Sequence, residues 1–483
     1  MTLRFASLLG VLLFAPSALS AADPVNYRKD IRPVLQARCY ACHGALKQNA
    51  KLRVDSGAAL IARGVVAPGQ PTKSELLDRV ASKDADVRMP PEGLPLTAEQ
   101  IALLKTWIEQ GAKVPADDKP EPDPRDHWSF RTPVRPAVPV IQNPQSKIEN
   151  PIDNFVAAKW AEKGLSPVRA ADKRILLRRV YLDLIGLPPT HEQSEAFLGD
   201  ASPNAYEKVV NQLLASPQYG ERWGRHFLDI WRYSDWWGLG AELRNSQKHI
   251  WHWRDWTVES LNADLGYNEM IRQMLAADEL YPTDVKKLRA TGFLVRTYFL
   301  FNRTTWLDET VEHTAKGFLG LTFNCSKCHD HKYDPTSQVN YYQFRAFFEP
   351  YQVRTDLEGG ELDIEKAGLP RSFDCNLDAK TFLHIRGDER NPDKNRTIVP
   401  GLPAYLAPNG LKIEPVKLPP VAYEPGLRPE IVAAHRKSAE AKLAAATSEL
   451  ARAKTALADI EKVAAKEPKA KPPEPKKPAE MKI

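Results

Sequence analysis

Apolar residues along most of this chain return at helical spacing, and long runs of alternating apolar and polar positions are scarce. Tyr27, Ile31, Val34 and Leu35 predict a helix that runs up to Cys39. A loop follows, marked by Gly57, Gly64, Pro68, Gly69 and Pro71. A second helix is expected from Thr97 to Gln110, where Thr97 and Gln100 form a capping box, Ile101, Leu104, Trp107 and Ile108 make one stripe, and Gly111 stops it. From Val114 to Pro144 the periodicity gives way to a charged, proline-rich spacer, whose insert His127-Trp128-Ser129-Phe130 is expected to pack on a neighbour.

Helical patterning resumes at Pro151. Phe155 and Trp160 fall on a first helix, and Leu177, Val180, Tyr181 and Leu184 on a second. Thr190 with Gln193 caps a third, and Val209, Val210, Leu213 and Leu214 mark a fourth. Seven of the eleven tryptophans lie between Trp223 and Trp256, including Trp236-Trp237 and Trp251-His252-Trp253. They predict an aromatic core, with the wall of a porphyrin site or an aromatic pocket as the alternatives. Further helices are expected from Asp308 to Leu321 and around Tyr341, Phe344, Phe347 and Phe348. Leu443, Ala446, Leu450, Ala453, Leu457 and Ile460 keep a heptad spacing, which predicts one helix over 430–465 that pairs with something as a weak coiled coil. Beyond it lysine and proline dominate, and residues 466–483 are expected to be disordered.

The fold class is therefore mainly α, and 483 residues are too many for one core. The expected division is a small helical domain over 24–115, a linker over 116–147, a larger α-rich domain over 148–420 and the C-terminal helix. Residues 1–22 read as a Sec signal peptide: a short basic start, an apolar run from Phe5 to Phe14, then small residues. The run is short for a membrane span, and no later stretch is apolar enough for one, so export to the periplasm or medium is expected. A net charge of +6 points to neither a nucleic-acid groove nor a membrane-binding face, while permitting acidic redox partners.

Candidate chemistry lies in the cysteines. Four of the five fall in two C-x-x-C-H motifs, Cys39-Tyr40-Ala41-Cys42-His43 and Cys325-Ser326-Lys327-Cys328-His329. This spacing suits covalent haem c: one turn presents two thiols to the porphyrin vinyl groups, and the next histidine reaches the iron. Cys375 remains over and is expected to be a buried thiol.

The order of helix, motif, loop, Arg88-Met89-Pro90-Pro91 and amphipathic helix resembles the small mono-haem cytochromes c. That resemblance implies His43 as proximal and Met89 as distal iron ligand, the soft thioether raising the reduction potential. The alternative for Met89 is a buried gap-filler. Over about residues 27–420 the chain resembles the planctomycete-type multidomain cytochromes. The first domain, ending Arg88-Met89-Pro90-Pro91-Glu92-Gly93, is similar to theirs. Residues 176–189 and the run His329-Asp330-His331-Lys332-Tyr333-Asp334-Pro335 resemble their second domain. Its relatives typically continue into a further C-terminal domain, so the sequence is expected to be a fragment or a truncated member. The C-terminal helix would then meet either a coiled-coil partner or that missing domain.

Three chemistries compete at Cys325, Cys328 and His329: haem c, a metal site completed by His331, and a disulfide. For a second iron, His313, His249, His252 and His226 are candidate sixth ligands. The leading reading is an exported di-haem cytochrome that passes single electrons to a redox partner protein. The others are an oxidoreductase with a catalytic second haem, and a haem-containing binding or scaffold protein. No serine triad, Walker loop or paired-carboxylate motif supports a hydrolase or nucleotide enzyme.

Overall fold

A computed structural model describes residues 24–91, 93–140, 150–234 and 248–466. The expected leader over 1–22, Glu92, the Trp236-Trp237 pair and residues 467–483 lie outside the described residues. The fold is mainly α and divides into two compact units. The first holds the chain up to Pro136 with Asp330–Ser337 and Pro403–Pro408, and the second holds the remainder.

In the first unit a π-helical turn, Tyr27–Ile31, leads into α1 (Arg32–Arg38) and the single turn α2 (Tyr40–His43). Then come α3 (Gly57–Ala62), α4 (Glu75–Ala81) and α5 (Ala98–Glu109). The spacing of Tyr27, Ile31 and Leu35 puts all three on one buried face, where they meet Leu60, Leu77 and Leu104 with Trp107 and Ile108 of α5. Both halves of the Thr97–Gln100 capping box form, at 3.0 and 3.2 Å. Trp107 is buried against Tyr27, ring centres 5.7 Å apart, and its indole N–H donates to the Lys113 carbonyl at 3.1 Å. The start of the proline-rich stretch is bound to this unit. Asp55 is fully buried, and its carboxylate accepts from the amide of Glu121 at 3.1 Å as well as from Arg53. Asp118 accepts from the Gly57 amide at 2.9 Å. Phe130 of the aromatic insert packs on Tyr405, centroids 4.8 Å apart.

The second unit opens with α6 (Pro151–Glu162), α7 (Lys173–Leu184), α8 (His191–Gly199) and α9 (Ala205–Leu214). Leu177, Val180 and Tyr181 of α7 pack with Phe197 and Leu213. Next, α10 (Pro217–Ile230) lies so close to α11 (Trp251–Asn262) that a side chain at Gly220 would strike the Val258 carbonyl and Asn262. Beside this contact Trp231 stacks on Trp253, centroids 6.4 Å apart, and Trp253 meets Phe293 edge-on at 5.9 Å. Trp231, Trp253 and Trp256 are buried, as an aromatic core requires, whereas Trp251 is partly exposed. Helices α12 (Tyr267–Leu280), α13 (Val285–Leu288) and α14 (Gly292–Val295) complete this part.

The helix expected from Asp308 starts earlier. It is α15, Arg303–Thr314, because the Asn302 side chain caps the Thr305 amide at 2.9 Å, and it runs on as a π turn to Leu319. The aromatic helix α16 spans Gln338–Arg345 and ends before Phe347 and Phe348. There the chain turns into two antiparallel hairpins that the helical reading of this region lacked. They are β1 (Tyr351–Leu357) with β2 (Gly368–Asp374), and β3 (Thr381–His384) with β4 (Pro392–Ile398). The first runs in register from Tyr351↔Asp374 to Leu357↔Gly368, and the second slips between Phe382 and Leu383. Cys375 corrects the expectation of a buried thiol: it is exposed, just past the end of β2 where the ladder stops covering the chain. After the short α17 (Pro420–Tyr423), one helix, α18, spans Pro429–Lys466 with Leu443, Leu450, Leu457 and Ile460 exposed.

Candidate haem sites

The first C-x-x-C-H motif closes a continuous run of turns. The Cys39 amide donates to Leu35 O at 2.8 Å, and the Cys42 and His43 amides donate back to Cys39 O at 3.1 and 2.9 Å. Because Ile31 and Leu35 are anchored in the core, the turn is held where both thiols and the imidazole line one cleft of about 460 Å³. Burial pushes the Cys39 thiol up to about 12. His43 Nδ1 lies 3.0 Å from the carbonyl oxygen of Asn49, so the proton sits on Nδ1 and Nε2 keeps its lone pair.

Met89 lines the same cleft, together with Pro90 and Pro91. Its amide donates to Arg79 O at 2.9 Å, which ties the methionine loop to the end of α4. Leu52, Val54, Val65, Leu76 and Val80 supply apolar walls, and Arg38, Arg63 and Arg79 add positive charge. An apolar slot with two thiols, a histidine, a thioether sulfur and guanidinium groups fits haem c. The walls suit the macrocycle, the thiols its vinyl groups, the nitrogen and sulfur the iron, and the arginines its propionates.

The second motif is built differently. Phe323–Lys327 is a 3₁₀ turn held through Phe323 and through the two middle residues of the motif, Ser326 and Lys327. Phe323 is buried edge-on against Phe344 at 5.2 Å, and Ser326 is buried. Lys327 Nζ pairs with Asp308 at 2.5 Å, and Asp308 also accepts from Tyr341 at 2.6 Å and Arg345 at 3.0 Å. The Lys327 carbonyl accepts from Tyr342 at 3.2 Å and from Gln338 at 2.9 Å. With these groups turned inward, Cys325, Cys328 and His329 are left exposed. His331, the further donor considered from the sequence, lies in the first unit. Its Nδ1 accepts amides of its own turn, from Asp334 at 2.8 Å and Tyr333 at 3.2 Å. Among the described residues no group of three or more His, Cys, Asp or Glu side chains converges to hold a metal ion.

Of the four histidines proposed from sequence as sixth ligands, two are engaged at Nε2. His249 meets Ile364 O at 2.8 Å, and His252 meets Glu358 at 2.9 Å while its ring stacks on Trp251, 3.8 Å between centroids. His226 packs edge-on against Trp223 at 5.5 Å. His313 is half-buried, and burial followed by the Arg296 charge pushes it down to about 4. Sequence reasoning missed His384. It sits at the end of β3, its Nδ1 is buried without a hydrogen-bond partner, and its turn adjoins the second motif. A lone histidine beside a short strand carries no motif that could have marked it.

Residues 39–93, from the first cysteine to just past Met89, match the family model described as Planctomycete cytochrome C (PSCyt1). Residues 151–353, which contain the second motif, match the model described as Protein of unknown function (DUF1549) (PSCyt2). No curated protein and no solved structure matches the chain. The fold is mainly α, and the two matched stretches follow one another along the chain. The chain belongs to the planctomycete-type cytochrome c family that carries this second domain. A cytochrome c domain implies haem c, and no helix among the described residues is long and apolar enough to cross a membrane.

Proposed function

We propose that the protein is an exported di-haem c-type cytochrome that passes single electrons between redox partners. The observation that carries this reading is the first cleft, where Cys39, Cys42, His43 and Met89 line one slot with apolar walls. When bound, haem c supplies an iron that alternates between ferrous and ferric states. Cys39 and Cys42 anchor it, and His43 is oriented for ligation by the Asn49 carbonyl. Met89 is the soft ligand that favours ferrous iron, and the apolar walls exclude water. Cys325, Cys328 and His329 take the second haem. The exposed position of that motif also favours a second reading, in which a substrate-accessible second haem is catalytic.

Export follows from the leader-like sequence at 1–22, and attachment of haem c belongs to an oxidising compartment. The exposed stripe of Leu443, Leu450 and Leu457 on α18 is offered to a coiled-coil partner or a further domain. The test is the intact mass of protein made with a haem c maturation system. Two haems are expected on the wild type, and one on Cys325→Ala/Cys328→Ala. A wild type with one haem overturns the di-haem reading. Carbon monoxide binding by the second ferrous haem at equilibrium would favour the catalytic reading over the relay.

A further inference from the structure

We infer that His384 is the second axial ligand of the iron held at Cys325, Cys328 and His329. The inference rests on the di-haem reading proposed above and goes beyond it, since neither family match reaches residue 384.

Three observations lead to this histidine. The first is that it is buried and has a ring nitrogen to spare: His384 is nine-tenths buried, and its Nδ1 has no hydrogen-bond partner. A buried polar atom left bare is costly, and a bound group is one of the things that account for such an atom.

The second is that its backbone is fastened to the motif. The Gln338 side-chain amide donates both to Lys327 O, between the two cysteines, at 2.9 Å and to His384 O at 3.1 Å. Tyr342 donates to the same Lys327 carbonyl at 3.2 Å while its ring lies 5.2 Å from that of His384. The third is the turn after the histidine, which is shaped against a cysteine. Arg386 and Gly387 both have positive φ, +54° and +76°, and any side chain at Gly387 would collide with Cys328 Sγ. A non-glycine residue in the left-handed region is strained and persists where neighbours demand it. The neighbour here is the motif.

The other histidines of the second unit are less suited. The Nε2 atoms of His249 and His252 are already engaged. The orphaned nitrogen and the two thiols with their adjacent histidine form a donor set that fits a bis-histidine haem c.

The experiment uses the full-length haem-loaded protein, comparing wild type with His384→Gly and His384→Met. Intact mass counts the haems, and EPR with near-infrared magnetic circular dichroism reads the ligands of each ferric iron. Wild type is expected to carry two haems, one histidine–methionine and one bis-histidine. In His384→Gly both haems stay attached, the bis-histidine signal is lost and a high-spin one replaces it. Added imidazole should restore the low-spin form, which repair of a merely structural defect would not do. In His384→Met the second signal should become histidine–methionine and its potential should rise. Two haems with a bis-histidine signal unchanged in both variants would overturn the His384 assignment while leaving the di-haem reading intact. A single haem on the wild type would overturn both.

Discussion

His43 Nδ1 lies 3.0 Å from the carbonyl oxygen of Asn49, so the imidazole is oriented by the backbone of the loop that follows the first motif. An N–H held by a carbonyl leaves Nε2 as the lone-pair donor and strengthens it. Because the partner is main chain, side-chain substitution at Asn49 preserves it. His43 is therefore the fixed member of the proposed ligand pair, and Met89, on a loop, is the exchangeable one.

Met89→Ala should accordingly keep the first haem, held by Cys39 and Cys42, and change its iron. The weak sulfur-to-iron band at the red end of the ferric spectrum should vanish and the potential should fall, as read by visible absorption and redox titration. Retention of that band would show that Met89 is not a ligand.

Trp107 carries much of the first core, being buried against Tyr27 with its N–H satisfied by Lys113 O. Trp107→Ala should cost roughly 3–5 kcal/mol, read from denaturant unfolding followed at the haem. A shift below about 1 kcal/mol would mean that the site collapses around the cavity more completely than cores ordinarily do.

The parts of the molecule legible in the sequence are those in which one residue type at one spacing suffices. The two motifs, the Thr97 and Thr190 capping boxes and the apolar face of α7 are of that kind. The hairpins were illegible because their strands are not held by an alternating apolar face. β2 reads Gly-Leu-Pro-Arg-Ser-Phe-Asp, and its buried Arg371 is matched by a buried carboxylate on β1. Such pairing becomes visible only when residues distant in sequence meet. His384 was hidden for the same reason, its significance lying in Gln338, Tyr342 and Cys328. Met89, by contrast, was marked out by its two prolines, and the structure puts all three on the cleft.

That buried carboxylate is Asp356, which accepts from Arg354 at 2.7 Å, Arg371 at 2.5 Å and Arg428 at 3.0 Å. One negative charge thus organises three guanidinium groups and ties the chain just before α18 to the first hairpin. Asp356→Ala leaves them without a counterion and should cost roughly 3–5 kcal/mol in the second unit, measured by urea unfolding. Arg428→Met, which removes one of the three, should cost less. Equal losses would argue that Arg428 contributes as much as the carboxylate itself.

Asp278, on the last turn of α12, supplies a pH dependence whose sign follows from its surroundings. Its carboxyl is raised from the ordinary 3.8 to about 7 by burial first and by Glu279 second, with Arg371 opposing. Asp374, at the end of β2, is raised by burial and by Asp278, and both charges act on the buried Tyr351 paired with Asp374 across the hairpin. A carboxyl with a higher pKa folded than unfolded binds more protons in the native state. Its stabilisation is then complete below the unfolded value and is lost as pH rises through the folded one. Deprotonation places two carboxylates against each other where α12 meets the hairpin. Asp278→Asn should therefore gain stability relative to wild type as the pH is raised from about 5, the gap widening most steeply below about pH 7 and levelling off by about pH 8. Urea midpoints for both proteins across that range provide the measurement. Parallel curves would mean that Asp278 is ionised throughout the range, and a gap that narrows with rising pH would reverse the sign.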